Sequence, residues 1–238
     1  MYNPPQITKN PQLPVALIAG GAGFIGSHLS EYLLSQGFRV VVVDSLQTGS
    51  KDLITQFTGH PRFSFIQYDL NVGIPARIES CDFIINLAGE ELHLTDKDDF
   101  EMDSLITNAL AARNLLELAR NCSAKIAVAS SINVYQGAIS ATNLKNYFGQ
   151  AEEEEKSFSY SESKRYTESL AFEYFKKYKL DVRVVRFGEV YGPRMDLKAT
   201  SSLGRFIDNV LKGDNLIVYG DGLEKEYYCY ISDALDGL

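Results

Sequence analysis

Tyr160 and Lys164 stand four apart in Tyr160-Ser161-Glu162-Ser163-Lys164. In a helix that spacing puts both on one face. An ammonium beside a phenol favours the phenolate, which turns a poor base into a usable one near neutrality. Tyr-x-x-x-Lys arises often by chance, and taken alone it reads as a surface helix. Well upstream, however, Ala129-Ser130-Ser131-Ile132-Asn133-Val134-Tyr135 follows directly on an apolar run. A serine there can hydrogen-bond the oxygen that the phenolate deprotonates. Ser, Tyr and Lys together suit removal of a proton from a carbinol, provided that something accepts the hydride.

The acceptor's seat is legible near the N-terminus. Ala16-Leu17-Ile18-Ala19 leads into Gly20-Gly21-Ala22-Gly23-Phe24-Ile25-Gly26-Ser27-His28-Leu29, a strand, tight turn and helix in sequence form. Gly20, Gly23 and Gly26 stand three apart, and Gly21, Gly23 and Gly26 also fit G-x-G-x-x-G. The turn needs φ values that a Cβ forbids, and a pyrophosphate must come close to the backbone. The following helix offers unsatisfied N–H groups and its positive end to that anion. A second apolar run, Arg39–Val43, ends in Asp44, where an acid can hydrogen-bond the adenosine ribose. No arginine stands beside Asp44, so NAD is favoured over NADP.

These groups need a scaffold. The pattern predicts strands at Leu13–Ala19, Phe38–Asp44, Arg62–Asp69, Asp82–Leu87, Ala124–Ser130 and Asp181–Arg186. Helices are expected at Phe24–Gln36, Met102–Asn121 and Tyr160–Tyr178, and a short one within Thr48–Gly59. In the second of these, Leu105, Ala109, Ala112, Leu116 and Ala119 follow helical spacing. Such alternation implies an α/β fold, a doubly wound parallel sheet. Gly20–Gly26, Asp44, Asp69, Asn86 and Ser130-Ser131 all follow strands, so they should converge beyond the carboxyl edge of the sheet. We expect an extended arm over 1–13, a dinucleotide-binding domain over 14–192 and a small substrate lobe over 193–238. Loops dominate that lobe, with a tight turn at Tyr219–Gly222.

Composition narrows the partners. The chain has 238 residues, 45% hydrophobic and 23% charged, with a net charge of -8. No basic tract argues for nucleic acid, and no long apolar run argues for a membrane span. Cys81, Cys122 and Cys229 are odd in number and lack metal-ligand spacing, so we expect free thiols, no metal and a reducing, cytoplasmic setting. The run Glu152–Glu155 reads as a solvated loop or helix start.

With these residues in view, the chain resembles the extended short-chain dehydrogenase/reductases, specifically the NAD-dependent epimerase/dehydratase family acting on nucleotide sugars. The resemblance spans Pro14 to Leu238. It implies that Gly20, Gly23, Phe24, Ile25, Gly26, Asp44, Asp69, Leu70, Leu87, Ala88, Asn108, Ser130, Tyr160 and Lys164 hold NAD. It implies that Ser131, Tyr160 and Lys164 are catalytic, and that Tyr160 takes the proton while hydride passes to the nicotinamide. Asn86-Leu87-Ala88-Gly89, Asn114–Glu117 and Arg186 with Tyr191-Gly192-Pro193-Arg194 fit the same pattern. Substrate contacts would come from Ser131, Asn133, Glu189, Arg194 and Arg205, with Lys198 a further candidate for phosphate. A homodimer through the two long helices is also implied.

The departures bear on substrate. Dehydratases of the family carry Asp-Glu where Ile132 and Asn133 stand here, and UDP-glucuronate decarboxylases carry Glu at the place of Asn133. Epimerisation or simple oxidation-reduction is therefore expected ahead of elimination or decarboxylation. Glu189, Glu224 and Glu226 replace the usual Asn, Gln and Arg that face a nucleotide diphosphate, which a carboxylate repels. The substrate is then either not an ordinary UDP-hexose, or these glutamates face solvent. The family continues past the place of Leu238, just before an expected helix, so the substrate lobe looks partial. Two further readings stay open: a reductase or dehydrogenase on a non-nucleotide substrate, and a dinucleotide-binding domain without turnover.

Overall fold

Four consecutive valines, Val40–Val43, have no exposed surface. Only a strand flanked on both edges and covered on both faces buries such a run. That strand is β2 (Arg39–Asp44), paired in parallel with β1 (Val15–Ala19) on one side and β3 (Phe63–Gln67) on the other. β4 (Phe83–Asn86), β5 (Lys125–Ser131) and β6 (Val182–Phe187) extend the sheet, all parallel, in the order β3-β2-β1-β4-β5-β6. The computed structural model describes residues 6–89, 100–135, 158–197, 202–218, 221–223 and 225–238.

Three helices make the crossovers: α1 (Phe24–Ser35), α2 (Phe100–Cys122) and α3 (Phe158–Tyr178). One core lies between the sheet and α2 and α3, built on Leu17, Val41, Leu115, Leu116, Ile126 and Ala171. The other lies between the sheet and α1, built on Ile18, Leu29, Val42 and Ile85. α2 and α3 are also joined by polar contacts: Asn108 Nδ2 donates to Ser163 Oγ (2.9 Å) and Tyr174 OH donates to Glu117. The doubly wound parallel sheet is thus the one the sequence pattern implies.

Some local expectations change. The first strand begins at Val15, because Leu13 folds back on Asn10 in an isolated bridge. The helix expected within Thr48–Gly59 is two 3₁₀ turns, Lys51–Leu53 and Thr55–Phe57, the first capped by Ser50. In α2, Ala112, Leu116 and Ala119 are buried as the spacing requires, but Leu105 is exposed. The N-terminal arm, expected to be extended, is anchored where it is described. Ile7 is fully buried, donates from its N–H to Arg77 O and accepts from the Glu79 and Ser80 amides.

From Glu189 onward the chain is more regular than its composition suggests. β7 (Glu189–Tyr191) pairs in parallel with β8 (Tyr228–Tyr230) as a separate two-stranded sheet, and α4 (Ser202–Lys212) lies between them in sequence. The last residues form α5 (Ile231–Asp236), which corrects the expectation that the chain stops before that helix begins. Ile231 and Ala234 bury one face of this single turn-and-a-half. Glu152–Glu155, Lys198, Glu224, Tyr219 and Gly220 lie outside the described residues. No helix among the described residues is long and apolar enough to cross a membrane. No cluster of His, Cys, Asp and Glu among them could hold a metal.

Candidate active site

The sheet order reverses between β1 and β4, and a cleft of about 1010 Å³ opens there at the carboxyl edge. Its walls bring together residues from the ends of β1, β2, β3, β4, β5 and β6, as the switch-point rule requires.

The glycine turn forms the floor. Gly20 has φ +74, and a Cβ on it would lie 2.7 Å from Ala88 N and 2.8 Å from Leu87 C. The loop after β4 therefore sits directly against the turn. A Cβ on Gly26 would fall 2.4 Å from Gly20 O and 2.6 Å from Gly21 Cα, so α1 rests on the turn that precedes it. Both glycines are demanded by the fold itself. Gly23 differs: it has φ -85, and a methyl added to it would meet Gly20 O first, at 3.3 Å. It caps α1 without a side chain, and no acid stands in the first helical turn. The N–H groups at this end of α1 thus meet no protein carboxylate within their own turn, and Phe24, Ile25 and Gly26 border the cleft. That donor set fits a pyrophosphate.

Asp44 closes the end of β2. Its Oδ2 accepts from Ala22 N (2.9 Å) and its Oδ1 from Leu46 N (2.8 Å), which fixes the carboxylate at the cleft wall. Each oxygen keeps a further lone pair for a ribose hydroxyl. Asp69 and Leu70 follow β3; Asp69 Oδ1 accepts from Asn71 N (2.9 Å) in a tight turn, and both residues border the cleft. Asn86, buried at the end of β4, accepts from Ala88 N (3.2 Å) and so sets the Leu87-Ala88-Gly89 corner.

On the opposite wall α3 presents Tyr160 and Lys164. Lys164 is only 7% exposed, its Nζ lies 5.4 Å from the centroid of the Tyr160 ring, and it donates to Ala129 O (3.4 Å). Ser131 ends β5 at the same wall and is followed by a 3₁₀ turn, Ile132–Tyr135. Ser131 Oγ accepts from Asn133 N (3.2 Å), which leaves its own O–H able to donate. Asn133 also borders the cleft.

Not every predicted residue reaches the cleft. Asn108 is buried between α2 and α3, where it bonds Ser163, and acts as a brace beside Lys164. Ser130 borders the cleft, but its hydroxyl donates to Glu168 Oε1 (2.5 Å). Arg205 is exposed on α4 and is not among the cleft residues. Glu189 and Arg194 do border it, and so does Glu226. Glu189 Oε1 and Arg194 Nη1 are buried without a hydrogen-bond partner among the described residues. The other arm of the Arg194 guanidinium pairs with Glu31 on α1, beside the bond from His28 Nε2 to Pro193 O (2.7 Å). Burial first, and then the charges of Glu189 and Glu226, raise the Tyr228 phenol above its usual range. Both carboxylates therefore act on one place in the small sheet.

Sequence reasoning overlooked several wall residues. Gln47–Ser50 follow β2, Tyr68 follows β3, and Phe187 ends β6 with Gly188 after it. The strand-end rule that found Asp44 and Asp69 would have found these too.

A model of the NAD dependent epimerase/dehydratase family matches residues 16–238. Among curated proteins, the chain is 35% identical over 223 residues to UDP-glucuronic acid decarboxylase 5 of Arabidopsis thaliana, covering 93% of this chain and 64% of that one. It is 30% identical over 237 residues to UDP-glucuronic acid decarboxylase 1 of Xenopus tropicalis, covering 100% and 55%. The chain thus spans 64% or less of the length of these curated relatives. Among solved structures it resembles a dTDP-glucose 4,6-dehydratase from Bacillus anthracis in complex with NAD, at TM-score 0.74 and 27% identity, over 94% of this chain and 69% of that one. It also resembles a UDP-glucuronic acid 4-epimerase from Bacillus cereus in complex with UDP-glucuronic acid and NAD, at TM-score 0.74 and 25% identity, over 94% and 71%.

Proposed function

Because the chain belongs to the NAD-dependent epimerase/dehydratase family, we propose that it binds NAD in this cleft and oxidises a carbinol of a nucleotide sugar, in the manner of an epimerase. One observation carries the reading. The buried ammonium of Lys164 stands over the Tyr160 ring, on a wall shared with Ser131 and facing the glycine turn.

NAD, when bound, supplies the hydride acceptor. The chain's own residues do the rest. The amides of the glycine turn and the first turn of α1 hold the pyrophosphate. Asp44 accepts from the adenosine ribose hydroxyls, and its charge repels a 2′-phosphate. Asp69 and Leu70 border the adenine end, and Leu87 and Ala88 line the path between the two ends. Lys164 holds the nicotinamide ribose and favours the Tyr160 phenolate. Tyr160 takes the proton from the carbinol oxygen, and Ser131 donates a hydrogen bond to that same oxygen.

The curated relatives are decarboxylases by name, yet Asn133 borders the cleft at the place where the family resemblance implies an acid for decarboxylation. A neutral amide neither takes nor gives the proton that elimination requires, so reversible oxidation is favoured. Reduction of NAD on addition of sugar nucleotides, followed by the near-ultraviolet absorbance of NADH, tests the reading. Tyr160→Phe should abolish the signal and leave NADH binding nearly unchanged. Persistence of the signal in that variant overturns the assignment.

A second reading of the substrate rests on Glu189. Its unpartnered, buried Oε1 and the neighbouring Glu226 set negative charge where relatives are expected to meet a diphosphate. A substrate that is uncharged or carries an amine at this end fits that wall better than a UDP-hexose. Isothermal titration with UDP and UDP-glucose decides it: micromolar binding of both ends the second reading.

We also propose a homodimer formed through α2 and α3, since Leu105, Ile106, Tyr166 and Phe172 leave apolar surface exposed there. A reducing, cytoplasmic setting accords with the three free thiols.

A further inference from the structure

Glu168 does not line the cleft, yet it joins the pieces that carry the chemistry. It lies one helical turn beyond Lys164 on α3. Ser130 Oγ donates to its Oε1 at 2.5 Å. Arg186 donates to both of its oxygens, Nε to Oε1 at 2.8 Å and Nη2 to Oε2 at 2.6 Å. Ser130 and Arg186 are direct register partners across β5 and β6, so one carboxylate holds both ends of a single rung. From there Arg186 Nη1 donates to Tyr135 OH, and the guanidinium lies 4.8 Å from the Tyr135 ring centroid.

Ser130 immediately precedes Ser131, and Tyr135 closes the 3₁₀ turn that begins after it. The segment holding Ser131 and Asn133 is therefore tied to Glu168 at both ends. Two more bonds run beside it: Lys164 to Ala129 O (3.4 Å) and Arg165 Nε to Val134 O (3.1 Å). Three polar side chains on one side of α3 thus grip the end of β5 and its turn. Of these, only Glu168 reaches both ends of the segment, the strand directly through Ser130 and the turn through Arg186 and Tyr135.

We propose that Glu168 is a positioning residue: it registers the helix bearing Tyr160 and Lys164 against the turn bearing Ser131, so that both reach one substrate oxygen. This rests on the hydride-transfer reading given above. Proton transfer and hydrogen bonding to a shared oxygen tolerate little displacement, and a shift of about 1 Å in such a pair can lower the rate about a hundredfold. Glu168→Gln keeps the size but loses the charge and the two-pronged pairing. Arg186 is partly exposed and can be solvated when its partner is neutral, so the fold survives.

The test has two arms. In the first, amide hydrogen exchange is followed over residues 131–135 of the whole chain, together with the thermal midpoint. Glu168→Gln should speed exchange in that turn by about tenfold or more while the midpoint moves by only a few degrees. Exchange there unchanged from the parent overturns the proposal. The second arm measures NAD reduction with UDP-glucose as probe. Glu168→Gln should lower the single-turnover rate constant of that reduction by about tenfold to a hundredfold, with the half-saturating UDP-glucose concentration nearly constant. In a Ser131→Ala background it should add almost nothing, because its effect passes through Ser131; full additivity overturns the positioning role. Tyr135→Phe releases only the far end of the turn and should give a smaller effect in the same direction, which keeps the test open should Glu168→Gln fold poorly. A parent that binds NADH but turns over no sugar nucleotide counts against the reaction and leaves the exchange arm to judge the clamp.

Discussion

Gly23→Ala separates what the cofactor needs from what the fold needs. Gly23 has an ordinary extended backbone, with φ -85 and ψ -179, which alanine adopts freely. Its added methyl would meet only Gly20 O, at 3.3 Å, a contact that a few tenths of an ångström relieve. Loss of a glycine at a helix N-cap costs about 0.5–1 kcal/mol, and the stiffer unfolded chain returns about 0.4–1 kcal/mol. The expected net change is within about 1 kcal/mol, or a shift of about 2–4 °C in Tm for a domain of this size. Binding should respond differently. A methyl at the mouth of α1 keeps a pyrophosphate from the amides, and each charge-assisted bond lost is worth about 1.5–3 kcal/mol. One such loss weakens NADH by at least about tenfold. Gly26→Ala is the control, because its methyl would lie 2.4 Å from Gly20 O and 2.6 Å from Gly21 Cα. There the fold must move, and overpacking of this kind costs about 1–3 kcal/mol. NADH fluorescence titration and thermal melts of both variants give the answer. Parent-like NADH affinity in Gly23→Ala, or a parent-like Tm in Gly26→Ala, would refute the reasoning.

Three other outcomes follow from the same structure. Burial raises Glu168, but hydrogen bonds from Arg186 and Ser130 and the Arg186 charge outweigh it and hold the carboxyl below its ordinary 4.5. Because the folded value is depressed, the stabilisation is complete above the unfolded value and is lost as pH falls through the folded one; acid melts should show a shallower loss of stability in Glu168→Gln than in the parent. The neighbouring Cys81 thiol chiefly lowers the Cys122 thiol below its usual range, so Cys81→Ala should slow labelling of Cys122 by iodoacetamide at neutral pH; labelling at the parent rate would count against that pairing. Ile106→Arg, on the exposed face of α2, should convert the proposed dimer to a monomer in sedimentation velocity without lowering Tm by more than a few degrees; a dimer that persists rules this face out.

Much of the scaffold was legible because its signals are local. Valines in an unbroken run can only be a doubly covered strand, and glycines between a strand and a helix can only make a tight turn. Strand-end logic then sent Asp44, Asp69, Asn86 and Ser131 to one edge of one sheet, while helical spacing alone singled out Tyr160 and Lys164. Hydropathy could not say which apolar face of α2 meets the core, since Leu105 and Leu116 look alike in sequence but only Leu116 is buried.

The sequence by itself therefore determined the parallel α/β order and the residues able to do the chemistry, because both depend on neighbours a few positions apart. Tertiary structure alone decided the rest. It gave Ser130 to Glu168 and placed Asn108 as a brace. It kept Arg205 away from the cleft and brought Glu189 to the cleft wall. It also showed that Gly20 and Gly26 answer to backbone contacts across the fold, while Gly23 stays open. Such assignments rest on distances between segments far apart in the chain, and no local spacing encodes a hydrogen bond formed across a sheet rung or between two packed helices.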